Sequence, residues 1–269
     1  MSYKLIALDL DGTLTNSQKI ITRPTKEALL DIQKQGFKVV LASGRPTPGM
    51  EGLADDLCLD RYGSYVLSYN GAKITDWRSK EVIFQKTLPL SVIPDLYKYA
   101  VEGGVGIISY ENDNVVAGTP IDDYMMIESR INKLDIKYVE NFPEYMNFPT
   151  NKCLMTGEHS VLQKVEERLK KKFKSLLSIY FSEPYFLEIM PQNVDKAQSL
   201  LTLLNTIGLT SEEMICCGDG FNDISMIEIA GLGVAMENAQ EVVKAAADYI
   251  TRSNDEDGIL HVIQKFIMK

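Results

Sequence analysis

Histidine is nearly missing from this 269-residue chain, which has only His159 and His261. That scarcity excludes His-rich metal sites and any mechanism that needs a histidine pair. Cysteine is also sparse. Cys58 and Cys153 stand alone, while Cys216 and Cys217 are adjacent inside an apolar run where a disulfide would be strained. Reduced, buried thiols are therefore expected. No Gly-x-Ser-x-Gly turn occurs, so a serine nucleophile of that kind is excluded. No apolar stretch approaches the roughly 18 residues of a membrane span. Asp9 and Asp11 also interrupt the N-terminal run before it could act as a secretory signal. A cytoplasmic protein without a membrane partner is the expectation. Positive charge is short as well: 28 Lys and Arg against 37 Asp and Glu leave a net charge of -9. Such a surface repels phosphate backbones, so nucleic acid is not an expected partner. What remains is ordinary for a folded globular chain, with 45% apolar and 24% charged residues. The length admits one large or two modest domains.

The segment Tyr3 to Asp9 is an almost continuous apolar run of strand length, without the alternation of a half-exposed strand. It predicts a central parallel strand. A helical pattern from Pro24 to Gln35 is closed by Gly36, and a second buried run, Phe37 to Ala42, follows. Further apolar runs at Tyr65 to Tyr69, Met214 to Cys217, Leu232 to Ala235 and Asp248 to Thr251 alternate with helices. This pattern predicts an α/β fold with a doubly wound, Rossmann-like parallel sheet. Asn70-Gly71 predicts the opening of an antiparallel hairpin, with Lys73 to Trp77 and Glu81 to Lys86 as arms. From there to about Met190 the texture is less regular and reads as an inserted α+β domain. The expected organisation is a core of residues 1–83 and 191–269 around an insert of residues 84–190.

Chemistry concentrates at predicted strand ends. Asp9-Leu10-Asp11-Gly12-Thr13 sits where the first strand stops, the edge at which open parallel sheets bind ligands. Two like charges so close cost about 4 kcal/mol at 4 Å with an effective dielectric near 20. A cation must offset that; a plain Asp-Gly turn needs no second aspartate there. Ser43-Gly44-Arg45 ends the second buried run, and a hydroxyl followed by glycine leaves backbone amides open to an anion. By itself this is equally a conformational turn. Asn193-Val-Asp-Lys196 and Gly218-Asp219-Gly220-Phe-Asn222-Asp223 lie some 150 residues later. Asp219 and Asp223, added to Asp9 and Asp11 without a His or Cys pattern, specify a hard cation with oxygen ligands, which points to magnesium. The spacing lacks the twelve-residue calcium loop with its closing Glu. Lys196 alone would be an ordinary surface lysine, but on a helix starting at this edge it supplies a cation.

Taken together, these motifs resemble the haloacid dehalogenase-like hydrolase superfamily, and within it the Cof-type sugar-phosphatase group with a large cap inserted after the second motif. The resemblance extends over essentially the whole chain, through Tyr69-Asn70-Gly71-Ala72, Val234-Ala-Met-Glu-Asn-Ala239 and Asp257-Gly-Ile. It implies Asp9 as the nucleophile that forms an aspartyl-phosphate, Asp11 as acid and base, and Thr13 as the residue that orients one of them. Ser43, Lys196, Asn222 and the amides after Asp9 and Ser43, at Leu10 and Gly44, would hold phosphoryl oxygens. Magnesium would take Asp9, the carbonyl of Asp11 and Asp219, with Gly220 shaping the loop and Asp223 binding through water or from behind. Arg45, Asn70 and Asn193 are expected to contact substrate. Asp11 is expected to have a raised pKa.

Three positions depart from the family pattern. Ala197 follows the lysine in place of glycine, Glu237 stands where glycine is usual, and Ser43 replaces the commoner threonine. The implied activity is a magnesium-dependent phosphatase of small phosphate esters such as sugar phosphates, flavin nucleotides or pyridoxal phosphate, acting as a monomer or weak homodimer. A phosphomutase using the same intermediate is the enzymatic alternative. A receiver-like phospho-acceptor switch is the non-enzymatic one, although a receiver needs only about half this length and no insert. Tyr180, Phe181, Tyr185 and Phe186 read mainly as core of the insert, with Glu183 and Glu188 as further substrate candidates.

Overall fold

Residues 3–268 are described by a computed structural model of the chain. They form two compact units, the first comprising the chain up to Phe84 and from Asp195 onward, the second Gln85–Val194. Strands are numbered in chain order. The first unit is built on β1 (Leu5–Leu8), β2 (Lys38–Ala42), β3 (Tyr65–Ser68), β4 (Lys73–Asp76), β5 (Val82–Gln85), β12 (Met214–Gly218), β13 (Leu232–Ala235) and β14 (Tyr249–Ile250). Their order in the sheet is β14-β13-β12-β1-β2-β3-β4-β5. From β14 to β3 every pairing is parallel.

The near-continuous apolar runs are explained by burial on both faces. In β1, Ile6 and Leu8 join one core with Val39, Leu41, Ile215, Cys217 and Val234. Leu5 and Ala7 join the opposite core with Val40, Ala42, Met214 and Cys216. Helix Arg23–Lys34 contributes Ala28, Leu29 and Ile32 to the first face, and helix Lys196–Ile207 contributes Leu200, Leu203 and Leu204 to the second. The strands are thus doubly wound, as an α/β chain of this pattern requires.

The two arms expected after Asn70-Gly71 are present as β4 and β5, neighbours in the sheet. Asn70-Gly71 itself turns the chain from β3 into β4, which pairs antiparallel with β3, Ser68 opposite Lys73. Trp77 to Glu81 then connects β4 to β5, the amide of Asp76 donating to the Glu81 carbonyl at 2.9 Å. The apolar run before Asn-Gly therefore adds a third strand, β3, to those two arms.

The second unit has its own sheet of β6 (Gly106–Glu111), β7 (Asn114–Ala117), β8 (Asp135–Tyr138), β9 (Cys153–Thr156), β10 (Leu177–Glu183) and β11 (Phe186–Pro191). The order is β10-β11-β9-β6-β7-β8, antiparallel except for β7 with β8. Helices Ile93–Gly103 and His159–Phe173 supply Leu96, Ala100, Leu162, Val165 and Leu169 to one apolar core with Ile107, Val116, Met155, Ile179 and Leu187. Phe186 is buried, whereas Tyr180, Phe181 and Tyr185 are partly exposed. Among the described residues no helix is long and apolar enough to cross a membrane.

Candidate active site

Strand order decides which chemistry meets. The chain leaves β1 on one side for β2 and returns on the other as β12, so the ends of β1, β2 and β12 lie side by side at a topological switch point. The Leu8 register with Cys217 and Leu41 is continued by a bond from the Asp9 amide to the Cys217 carbonyl at 3.0 Å. Asp9, Ser43 and Asp219 therefore emerge from one edge.

Lys196, the first residue of its helix, is wholly buried and donates to Asp9 Oδ1 and to Asp223 Oδ1, both at 2.6 Å. Asp195 caps that helix through the Gln198 amide at 2.8 Å, which fixes where the lysine starts. The other oxygen of Asp223 accepts from the amides of Asp219 and Gly220 at 3.0 and 2.9 Å. Both oxygens of Asp223 are thus committed to the lysine and the loop. Asp219 Oδ1 accepts the Thr13 hydroxyl at 2.6 Å. Gly12 lies so close that a Cβ there would sit 2.4 Å from Asp219 Oδ2, and its φ of +90° suits only glycine.

Carboxylate oxygens of Asp9, Asp219 and Asp223 lie within 4.8 Å of one another. Burial is the main influence on Asp9, reinforced by the charge of Asp223 and opposed by Lys196, and its pKa is pushed up to about 8. Asp219 is raised to about 6, mainly by burial and against the pull of the Thr13 hydroxyl. Lys196 is held above its ordinary range, because Asp223 and Asp9 outweigh the burial that disfavours its charge. One ammonium does not balance three carboxylates, and oxygen-only donors in such a cluster fit a hard divalent ion such as magnesium. Asp9 Oδ2 and Asp219 Oδ2 are the atoms least committed elsewhere.

Two expectations are corrected. Thr13 orients neither Asp11 nor Asp9; its hydroxyl is given to Asp219. Asp11 does not have a raised pKa. Burial alone would raise it, but the Arg45 guanidinium and the Lys19 ammonium prevail and lower it. Arg45 Nε donates to Asp11 Oδ2 at 2.8 Å and Nη2 to Oδ1 at 2.7 Å, a bidentate grip. Lys19 Nζ meets Asp11 Oδ1 at 2.8 Å. Two cations thus favour the ionised form, an effect that spacing around the Asp9-Asp11 pair does not reveal.

The remaining predicted residues are distributed as follows. Leu10 is buried, and its carbonyl accepts the Thr15 amide and hydroxyl, both at 2.9 Å. Ser43 is buried and its Oγ accepts the Arg45 amide at 3.2 Å. A Cβ on Gly44 would lie 3.1 Å from the Asn70 amide group. Asn70, in the left-handed region at φ 52°, accepts from Asn222 Nδ2 at 3.0 Å. Gly220 contributes its amide to Asp223. Asn193 lies in the second unit, exposed, with φ 54°. Lys19 escaped the sequence reading; a lysine in the loop after Asp-Gly-Thr was the available signal. Asn238 also escaped, although its motif was noted: its Nδ2 donates to the Gly12 carbonyl at 2.8 Å.

A family model described as haloacid dehalogenase-like hydrolase matches residues 6–263. The 5-amino-6-(5-phospho-D-ribitylamino)uracil phosphatase YcsE of Bacillus subtilis (strain 168) is 32% identical over 272 residues, covering 100% of this chain and 97% of the relative. Among solved structures, a haloacid dehalogenase-like hydrolase from Bacteroides thetaiotaomicron superposes with a TM-score of 0.96 at 47% identity, over 98% of this chain and 99% of that one. The HAD subclass IIB sugar phosphatase BT4131 superposes with a TM-score of 0.82 at 28% identity, over 99% and 100%. The chain therefore belongs to the haloacid dehalogenase-like hydrolase superfamily, in its Cof-type group, and is a phosphatase.

Proposed function

We propose that this phosphatase hydrolyses small phosphorylated metabolites, sugar phosphates or similar monoesters, through a phosphoryl group carried on Asp9, and that it requires magnesium. The observation that carries this reading is the buried Lys196 joined to Asp9 and Asp223, with the Asp219 carboxylate in the same cluster. A carboxylate cannot approach a phosphate dianion without cations between them, and this cluster supplies one and lacks charge for a second.

In this reading Asp9 and Asp219 hold the ion, which when bound offsets the negative charge of the transferring group. Asp9 attacks phosphorus as the ester oxygen leaves, and Asp11 gives that oxygen a proton. Asp11 then takes a proton from the water that attacks phosphorus and releases Asp9. Lys196 and Ser43 hold phosphoryl oxygens. Asn222 and Asn70, already linked, form a polar wall at the same edge. By its likeness to the family, the insert Gln85–Val194 is assigned the role of a cap. YcsE and the subclass IIB sugar phosphatase act on the esters their names state, and this chain is assigned the same broad class of small phosphate ester. The cytoplasmic location expected above is carried with the proposal.

The test is phosphate release from a panel of phosphate esters with magnesium or with excess chelator. Turnover should depend on the metal and fall at least ~10³-fold in Asp9→Asn, the order expected for loss of a nucleophile. Persistent turnover in that variant would remove Asp9 as nucleophile; full activity in chelator would remove the metal.

A further inference from the structure

We propose that Arg45 and Lys19 are positioning residues for the water-activating half of the reaction, holding the Asp11 carboxylate in one orientation rather than gripping the substrate phosphate. The inference rests on the reading of Asp9 as nucleophile and Asp11 as its acid and base.

Arg45 is built for this. Its amide is tied to Ser43 Oγ, its carbonyl accepts the Tyr69 amide at 2.9 Å, and its Nη1 donates to the Gly49 carbonyl at 3.4 Å. The side chain is mostly buried, and Nε and Nη2 each meet a different Asp11 oxygen. A guanidinium fork fixes a carboxylate in a plane as well as in place.

Lys19 reaches the same carboxylate from a different loop. Its backbone is left-handed, at φ 62°, in a residue without glycine's freedom. The turn is held from within: the Asn16 carbonyl accepts the Lys19 amide at 2.8 Å, and Asn16 Oδ1 accepts the amides of Gln18 and Ile20 at 3.0 and 3.2 Å. It is also held from outside, where Asp255 takes the Ser17 amide at 2.8 Å and the Ser17 hydroxyl at 2.5 Å. Asn254 Nδ2 donates to the Thr15 carbonyl at 2.9 Å. A strained residue kept in place by so many contacts points to use of the side chain it aims.

A carboxylate gripped by two cations stays ionised and fixed in direction, the form in which a general base must face its water. In the second half of the reaction a water O–H gives its proton to Asp11, the water oxygen bonds to phosphorus, and the bond from Asp9 to phosphorus breaks. Loosening Asp11 should slow this step and leave the first transfer from an ester with a good leaving group nearly unchanged.

Rapid-mixing kinetics with p-nitrophenyl phosphate separate the two steps. For Arg45→Lys, which keeps charge but not the fork, the initial burst of p-nitrophenolate should stay within about twofold of the unaltered protein, while steady turnover falls ~10-fold, less than the roughly 10²–10⁴-fold that losing the acid-base group outright would cost. Lys19→Gln, on an exposed side chain, should lower steady turnover about two- to threefold. Inhibition by inorganic phosphate should be unchanged in both, and acid-quenched Arg45→Lys incubated with labelled acetyl phosphate should retain label. Burst and steady turnover slowing together, unchanged steady turnover, or weaker phosphate inhibition would each overturn the assignment. Asp11→Asn separates the layers: label on that variant upholds the reading beneath, and no label on it strikes that reading itself.

Discussion

Lys196 illustrates what a single buried charge does to this site. It is fully buried, and its two carboxylate partners are nearly so. Lys196→Met would leave Asp9 and Asp223 facing one another without a cation, and removing one member of a buried ion pair costs about 3–5 kcal/mol. Chemical denaturation should show a loss of that size, and Lys196→Met combined with Asp223→Asn should lose less, because one stranded charge is gone. Asp9 and Asp219 carry a second expectation at this scale. Their pKa values are raised to about 8 and about 6, so the folded protein holds protons that the unfolded chain sheds above the ordinary carboxylate range. For these two groups, folded stability without metal falls as pH rises, through about pH 6 for Asp219 and about pH 8 for Asp9. A divalent ion favours the ionised carboxylates and competes with the same protons. The rise in melting temperature produced by magnesium should therefore be small at pH 5 and grow toward pH 8. Asp9→Asn should flatten most of that dependence.

At the scale of elements, the loop between β1 and helix Arg23–Lys34 is held by residues more than two hundred positions away. Asn238 takes the Gly12 carbonyl and accepts the Asn254 amide at 3.0 Å. Asp257 accepts the hydroxyls of Thr22, which caps the helix, and of Thr25, the latter at 3.0 Å. This accounts for Asp257-Gly-Ile, a motif that no catalytic role absorbs. Asp257→Ala removes the acceptor for both hydroxyls and should cost about 1–3 kcal/mol by leaving part-buried donors unmatched. A denaturant melt gives the stability loss. Glu237 shows the limit of reading such loops from sequence. It follows buried Met236, is itself exposed, and bonds through its amide to the Arg252 carbonyl at 3.4 Å.

For the molecule as a whole, what could be read in advance follows from how far each constraint reaches along the chain. Asp9, Ser43, Lys196 and Asp219 were legible because a carboxylate, hydroxyl or lysine at the end of a buried strand or the start of a helix has few other reasons to be there. The grip of Arg45 on Asp11 was not, since it depends on a guanidinium 34 positions away choosing an aspartate over a ligand. Thr13 was misread because two aspartates beside it in sequence look closer than Asp219, which only the pairing of β1 with β12 brings near. The insert was readable in outline, its short strands less so, because antiparallel pairs such as β10 with β11 rest on cross-strand contacts that no local pattern encodes. Each unit has a separate sheet and a separate apolar core, while all the carboxylates assigned to the metal lie in the first. Binding to the folded form alone stabilises by about 2.7 kcal/mol at a hundredfold excess over the dissociation constant. In a unit of this size each kcal/mol moves the midpoint by about 2–4 °C. Scanning calorimetry should accordingly resolve two transitions, of which saturating magnesium raises one by roughly 5–10 °C and leaves the other within about a degree. Asp219→Asn should abolish the shift without merging the peaks. A single peak that moves as one with magnesium would mean that the two cores unfold together and that the insert is a cooperative part of the catalytic unit.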